Sequence, residues 1–179
     1  LTVQLAERVA FAAGQLIPKG SRVIVGRDTR SSGPLLEEGI LAGFCKSGHE
    51  VLRIGVIPTP GLAFLALEPG VQLAVMITAS HNPSVDNGIK IFGHDGMKIS
   101  DQLEQKIEEW VYSHESLPEV ATGTVVNDEE AINRYAQHLQ DSVDISLSGL
   151  TIALDCANGS ATAIAPKASH RETGYGEIG

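Results

Sequence analysis

The chain has 179 residues, enough for roughly one domain and a fraction. A chain this long can bury about 70% of its unfolded surface, so it needs no disulfide staples. With 13 Lys and Arg against 22 Asp and Glu, it carries a net charge of −9. That balance argues against sequence-independent nucleic-acid binding and against anionic membrane surfaces, both of which need excess positive charge.

No apolar run reaches the ~18 residues of a spanning helix, and Leu1 to Phe11 lacks the pattern of a signal peptide. The expectation is a cytoplasmic protein that does not enter a membrane. Cys45 and Cys156 stand far apart, which excludes a disulfide framework or a zinc ribbon and reads as two buried thiols. Asn158-Gly159-Ser160 fits a glycosylation acceptor, here a chance match without a secretion signal.

Val3 to Ile17 has apolar residues at helical spacing and stops at Pro18-Lys19-Gly20. Arg22 to Gly26 is a short β-branched run, hence a strand. Gly33-Pro34 opens a helix over Leu35 to Lys46, closed by Gly48. Val51 to Val56 is a second strand. Pro58-Thr59-Pro60 breaks it before a helix through Leu67, which Pro69-Gly70 ends. Leu73 to Ile77 is a third strand, apolar throughout, and Asn82 to Gly88 is a turn before a strand at Ile89 to Phe92. Asp101 to Val111 is an amphipathic helix with Leu103, Ile107, Trp110 and Val111 on one side. Asp101 and Glu104 form a capping-box-like start. Thr124 to Val126 is a strand, and Glu129 to Val143 a helix with Ile132, Tyr135, Leu139 and Val143 inward.

Strands alternate with helices, and the central strands are apolar. That predicts an α/β fold, a mixed sheet with helices on both faces. Ligands on such sheets sit at the carboxyl ends of strands, which selects the loops after Gly26 and after Ile77. A first domain is expected over 1–145. A strand over Leu150 to Leu154 would open a second, incomplete domain over 146–179.

Thr78-Ala79-Ser80-His81-Asn82-Pro83 leaves the most apolar strand directly, so its hydroxyls are exposed at the strand end. The glycine-flanked serine of a lipase elbow is absent, and His81 is too close in sequence to complete a usual triad. Ser80 can instead carry a phosphoryl group, a chemistry that needs cations nearby. Lys90 follows the tight turn Asp86-Asn87-Gly88, and a hairpin-like return would bring its ammonium back to Ser80. The same composition also suits a solvated turn.

These residues resemble the α-D-phosphohexomutase family. The stretch from Thr78 to Pro83, followed by Asp86-Asn87-Gly88-Ile89-Lys90, is similar to that family's active-site loop. Gly26-Arg27-Asp28-Thr29-Arg30 with Ser32-Gly33, Ile57-Pro58-Thr59-Pro60 and Leu154-Asp155-Cys156-Ala157-Asn158-Gly159 resemble three further family stretches.

The resemblance implies a phosphohexomutase first domain with the start of a second. It implies that Ser80 is a phosphoserine that gives its phosphoryl group to a sugar phosphate and takes another back from a bisphosphorylated intermediate. The wording around Asp86 to Lys90 and Asp95 to Ile99 points to a hexosamine phosphate: glucosamine 6-phosphate and glucosamine 1-phosphate interconverted for cell-wall precursors. Mannose or glucose phosphates are the alternative, and a non-catalytic sugar-phosphate-binding module a further one. Lys90 matches the family's acid–base or phosphate-neutralising lysine. His81 matches the loop histidine, and Arg27 and Arg30 either line the phosphate pocket or pair with Asp28. Mg2+ is the implied cofactor, with Ser80 a ligand through its phosphate and the other ligands beyond this chain. A homodimer suits the family, and the chain alone is expected to be inactive.

The remaining signals are weaker. His49, His114 and His138 read as solvated, and His94 as part of a turn near the site. Cys45 and Cys156 read as packing residues, and Trp110 and Tyr135 as core or interface anchors. Gly174-Tyr175-Gly176-Glu177-Ile178-Gly179 fits a dinucleotide fingerprint but follows no strand, so NAD is not expected.

Overall fold

A computed structural model describes residues 1–114, 116–117, 123–144 and 149–169. The terminal glycine run and His170 lie outside the described residues. The order is α1 (Val3–Gly14), β1 (Arg22–Arg27), α2 (Gly33–Lys46), β2 (Glu50–Val56), α3 (Thr59–Leu65) and β3 (Val71–Ile77). Then follow β4 (Ile89–Gly93), α4 (Asp101–Ser113), β5 (Thr124–Asn127), α5 (Ala131–Asp141) and α6 (Ala165–Ser169).

The strands form one sheet in the order β4-β3-β1-β2-β5. β1 pairs in parallel with β2 and β3, β2 in parallel with β5, and β3 antiparallel with β4. β1 therefore lies between the second and third strands. The chain moves to one side through α2 and returns to the other through α3. Right-handed crossovers in opposite directions put those two helices on opposite faces.

Two apolar cores follow. Val23, Val25, Val75 and Ile77 pack with α1, α2 and α4 on one face. Ile24, Ala74 and Met76 pack with α3 and α5 on the other. The mixed α/β sheet with helices on both faces is as expected from the alternating apolar runs. The reversal of strand order makes a crevice at the carboxyl ends of β1 and β3, where ligands bind such sheets.

Local signals explain most boundaries. The Thr2 hydroxyl caps α1 by accepting from Leu5 N at 3.2 Å. Pro34 occupies the first turn of α2, where its missing N–H costs nothing. Gly48, with φ of +88°, supplies the left-handed residue after α2. At α4 the cap is Ser100 rather than Asp101: its hydroxyl accepts from Leu103 N. Glu104 instead pairs with Lys98.

Several expectations are corrected. Leu150 to Leu154 is not a strand; Leu150, Ile152 and Leu154 are exposed, with no strand beside them among the described residues to complete a ladder. Ile164 and α6 pack instead against the α3–α5 face. α5 ends at Asp141, so Val143 lies past its last turn and is exposed.

His49 is buried, not solvated: its Nε2 lies 3.0 Å from the Gly14 carbonyl, and the ring sits edge-on to Phe44. His114 and His138 are exposed, as expected, and stack on Trp110 and Phe64. His94 follows Gly93, which pairs with Leu73, so it stands at the end of the sheet opposite the crevice. Cys45 and Cys156 are free thiols, each half-buried rather than buried. No described helix is long and apolar enough to cross a membrane.

An ionic cluster ties α5 to the β5 and α3 ends. Arg134 donates to Glu68 Oε1 at 2.8 Å and to both oxygens of Asp128 at 3.0 and 2.6 Å. These hydrogen bonds hold the Asp128 carboxyl below its ordinary range, against a smaller opposing effect of burial. Arg134→Ala should cost about 1–2 kcal/mol, because it leaves two carboxylates facing one another. Asp128 contributes stability above its unfolded pKa of about 4 and loses it as pH falls through its lower folded value. The deficit of the variant, read by urea denaturation, should therefore be full at neutral pH and shrink in stronger acid. A deficit independent of pH would exclude the ion pairs as its cause.

Candidate functional site

The β1 and β3 ends are in register, with Arg27 opposite Ile77, and Asp28 N donates to the Ile77 carbonyl at 3.0 Å. The two following loops therefore leave the sheet side by side. Between them lies a cleft of about 510 Å³. Asp28, Thr29, Arg30 and Ser31 line it from the first loop, and Thr78, Ser80, His81, Asn82 and Ser84 from the second. Thr59 at the start of α3, with Gly159 and Ser160, completes the wall.

Asp28 anchors the two loops to each other. Its Oδ1 accepts from Arg30 N at 3.0 Å, and its Oδ2 accepts from Arg30 Nε at 3.0 Å and from the Thr78 hydroxyl at 2.7 Å. Thr78 Oγ1 in turn accepts from Ser80 N at 3.0 Å. Ser80 itself has φ of +55°, a left-handed conformation that costs a non-glycine residue about 1–2 kcal/mol. The surrounding network holds it there, as strained residues at functional sites are held. Ser80 and His81 are both exposed at the cleft.

Arg30 reaches under the loop. Its two terminal nitrogens donate to four carbonyls: Pro83 at 2.5 Å, Asp86 at 3.1 Å, Ser80 at 2.8 Å and Asn82 at 2.9 Å. Farther along, Asn87 Nδ2 donates to Ser32 Oγ at 2.8 Å, and Thr78 N donates to the Gly88 carbonyl at 2.9 Å. The 78–88 segment is thus a closed loop fastened to β1 at several points.

Ser80, His81 and Arg30 meet at the cleft. Lys90 stands in β4 opposite Met76, on the strand that returns beside the loop, and is half-buried. It is not one of the cleft-lining residues. Neither is Arg27, whose Nε lies 3.5 Å from Glu37 Oε2. Glu37 also faces Arg53, with Nε at 3.7 Å. Burial pushes the Glu37 carboxyl up, and the two arginines partly offset this.

Asp28, Thr59 and Ser160 belong to the cleft although the serine motif alone did not single them out, and Thr78, within that motif, is buried rather than exposed because its hydroxyl donates to Asp28. The signal for Asp28 and Thr78 was positional, since both directly follow strands that end together. Ala157 and Asn158 have positive φ, which makes the sharp turn that presents Gly159 and Ser160. Nothing in the local sequence brings that turn to the cleft.

Among the described residues, no three His, Cys, Asp or Glu side chains converge to hold a metal ion. Asp28, the cleft carboxylate, already accepts from Thr78 and Arg30. These residues do not by themselves fit a magnesium site.

Comparison with known proteins agrees with this geometry. The chain is 43% identical over 175 residues to phosphoglucosamine mutase of Staphylococcus aureus strain Newman, covering 93% of this chain and 39% of that protein. It is 44% identical over 172 residues to phosphoglucosamine mutase of Geobacillus thermodenitrificans, covering 92% and 38%. It thus spans about two-fifths of the length of these curated relatives. A crystal structure of a phosphoglucomutase/phosphomannomutase family protein from Burkholderia thailandensis superposes with a TM-score of 0.78 at 26% identity, covering 94% of this chain and 38% of that one. Residues 1–117 match the family description "Phosphoglucomutase/phosphomannomutase, alpha/beta/alpha domain I". With two-thirds of its residues matched by that description and its serine loop at the sheet's switch point, the chain belongs to the phosphoglucomutase/phosphomannomutase family.

Proposed function

We propose that this chain supplies the phosphoryl-carrying loop of a phosphohexomutase that interconverts glucosamine 6-phosphate and glucosamine 1-phosphate. The observation that carries the reading is Ser80, an exposed hydroxyl in a left-handed conformation at the cleft. In the forward half-reaction the Oγ–P bond of phosphoserine breaks and a bond from phosphorus to a sugar hydroxyl oxygen forms. The hydroxyl proton leaves to a base and the freed Ser80 Oγ takes a proton. In the second half-reaction Ser80 gives that proton up, the bond from the sugar oxygen to the other phosphorus breaks as Ser80 Oγ bonds to it, and the freed sugar oxygen is protonated. The loop's contribution is placement, which in phosphoryl transfer is most of catalysis.

Lys90 is assigned as the acid–base or charge-neutralising partner, from its place in β4 on the strand that returns beside the loop. His81 is assigned as a contact to the transferred phosphate. Arg30, and less directly Arg27, contribute positive charge at the strand ends. Mg2+ belongs to this reading as a cofactor, with the phosphate on Ser80 as this chain's ligand. Residues 1–145 would form the first domain and 146–179 the opening of a second. The setting would be cytoplasmic and the assembly a homodimer.

Names of relatives support the hexosamine substrate, since those at 43–44% identity are phosphoglucosamine mutases. The test is a competition assay on the full-length protein, with glucosamine, mannose and glucose 6-phosphates together. Glucosamine 6-phosphate should be converted in preference to the others. Preference for mannose or glucose phosphate would move the substrate, and conversion of none would leave a sugar-phosphate-binding module. The 179-residue chain alone is expected to show no turnover; normal activity there would contradict the division of labour proposed.

A further inference from the structure

The Arg30 guanidinium has five N–H donors. Its Nε serves Asp28, and its terminal nitrogens serve the carbonyls of Ser80, Asn82, Pro83 and Asp86. All five are therefore satisfied within the protein, and none is left for a ligand. A residue at this cleft whose donors are all taken by the protein's own carbonyls and one carboxylate does something other than bind phosphate.

Peptide planarity gives the consequence. In a trans peptide the N–H points opposite to the C=O it is bonded through, and the described residues have no cis peptide bond. Pulling the Ser80 carbonyl toward Arg30 turns the His81 N–H away from it. Pulling the Pro83 carbonyl does the same to the Ser84 N–H. The Asn82 carbonyl precedes a proline and frees no donor. His81 and Ser84 are both exposed and both line the cleft. By contrast, Ser80 N, Asn82 N and Asp86 N already donate to Thr78 Oγ1, the Ala79 carbonyl and the Pro83 carbonyl.

We infer that Arg30 is a positioning residue which folds the loop around its guanidinium and so presents the His81 and Ser84 amides as a backbone cradle for phosphoryl oxygens. The two amides are not successive, because Asn82 N donates to Ala79 and Pro83 has no N–H, so the cradle is formed by two separate amides of one loop facing the same cleft. The inference rests on the reading of Ser80 as the phosphoryl carrier. Lysine cannot replace the planar fork, because a point-like ammonium with three donors cannot gather four carbonyls and a carboxylate.

The test is amide NMR of the 15N-labelled chain titrated with inorganic phosphate, for wild type and Arg30→Lys. The wild-type His81 and Ser84 amides should shift saturably, and Arg30→Lys should weaken that response about tenfold or more while core amides stay in place. Equal response in both proteins, or shifts at other amides alone, would overturn the cradle. Should the variant fail to fold, the wild-type Arg30 side chain decides. All its N–H hydrogens should be resolved and slow to exchange, and a freely rotating, fast-exchanging guanidinium would overturn the proposal. Phosphopeptide mapping separates this from the reading beneath it. Phosphate on Ser80 with an unaltered Arg30→Lys response sinks only the cradle. An Arg30-dependent cradle in a full-length, active protein never phosphorylated at Ser80 removes the carrier role, and with it this use of the cradle.

Discussion

Ser80→Ala is expected to abolish phosphate incorporation and to lower mutase turnover of the full-length protein by at least about 10³-fold, because it removes the oxygen to which the transferred phosphoryl group is bonded. Ser80→Gly should be equally inactive, yet the two variants should differ in stability. Ser80 has φ of +55°. Alanine keeps the steric cost of that conformation and loses the chemistry. Glycine removes the cost, about 1–2 kcal/mol, against a backbone-entropy loss of about 0.5–1 kcal/mol. The glycine variant should therefore be the more stable by about 1 kcal/mol or less in urea denaturation. A glycine variant clearly less stable than the alanine one would show that the left-handed backbone at Ser80 is not a source of strain.

Gly43→Ala should destabilise the chain by about 3 kcal/mol, the largest stability effect foreseen for so small a change. In an unconstrained helix the same substitution would stabilise by close to 1 kcal/mol, so the sign is diagnostic. Here α1 and α2 touch at Gly43. A Cβ built there would fall 2.2 Å from the Glu7 carbonyl oxygen, 2.7 Å from Ala10 Cβ and 2.9 Å from Phe11 N. Two of those neighbours are backbone, which cannot rotate away. Relief requires the helices to separate, and their contact buries Ala6, Ala10 and Ala13 against Ile40 and Phe44. A stabilised Gly43→Ala would mean that the two helices are not packed this closely.

How far the sequence reveals this molecule differs from element to element. β1 and β3 were legible because strands buried on both faces read as near-continuous apolar runs, and β2, interrupted by Arg53, was legible from its branched apolar residues between Gly48 and Pro58. α4 was legible because its apolar stripe faces one core. The serine loop was legible as a place where polar residues follow a buried strand. Long-range placement was not legible. Nothing near Arg30 in the chain says that its guanidinium meets carbonyls fifty and more residues away. His49 looked like a helix-end residue, and only the tertiary fold closes Gly14 over it. Leu150 to Leu154 has strand composition but no neighbouring strand among the described residues, and composition cannot supply a partner. Lys90 lies between these cases: its strand was foreseen, and the register sets it beside the loop without placing it in the cleft.

The most direct test of the central claim is phosphopeptide mapping of the purified full-length protein across Thr78 to Lys90. The account predicts one phosphate, on Ser80, exchanged during turnover, so that label carried in on the phosphate of the sugar phosphate appears on Ser80. An active protein with its phosphate on another residue, and none on Ser80 at any stage of turnover, would contradict it.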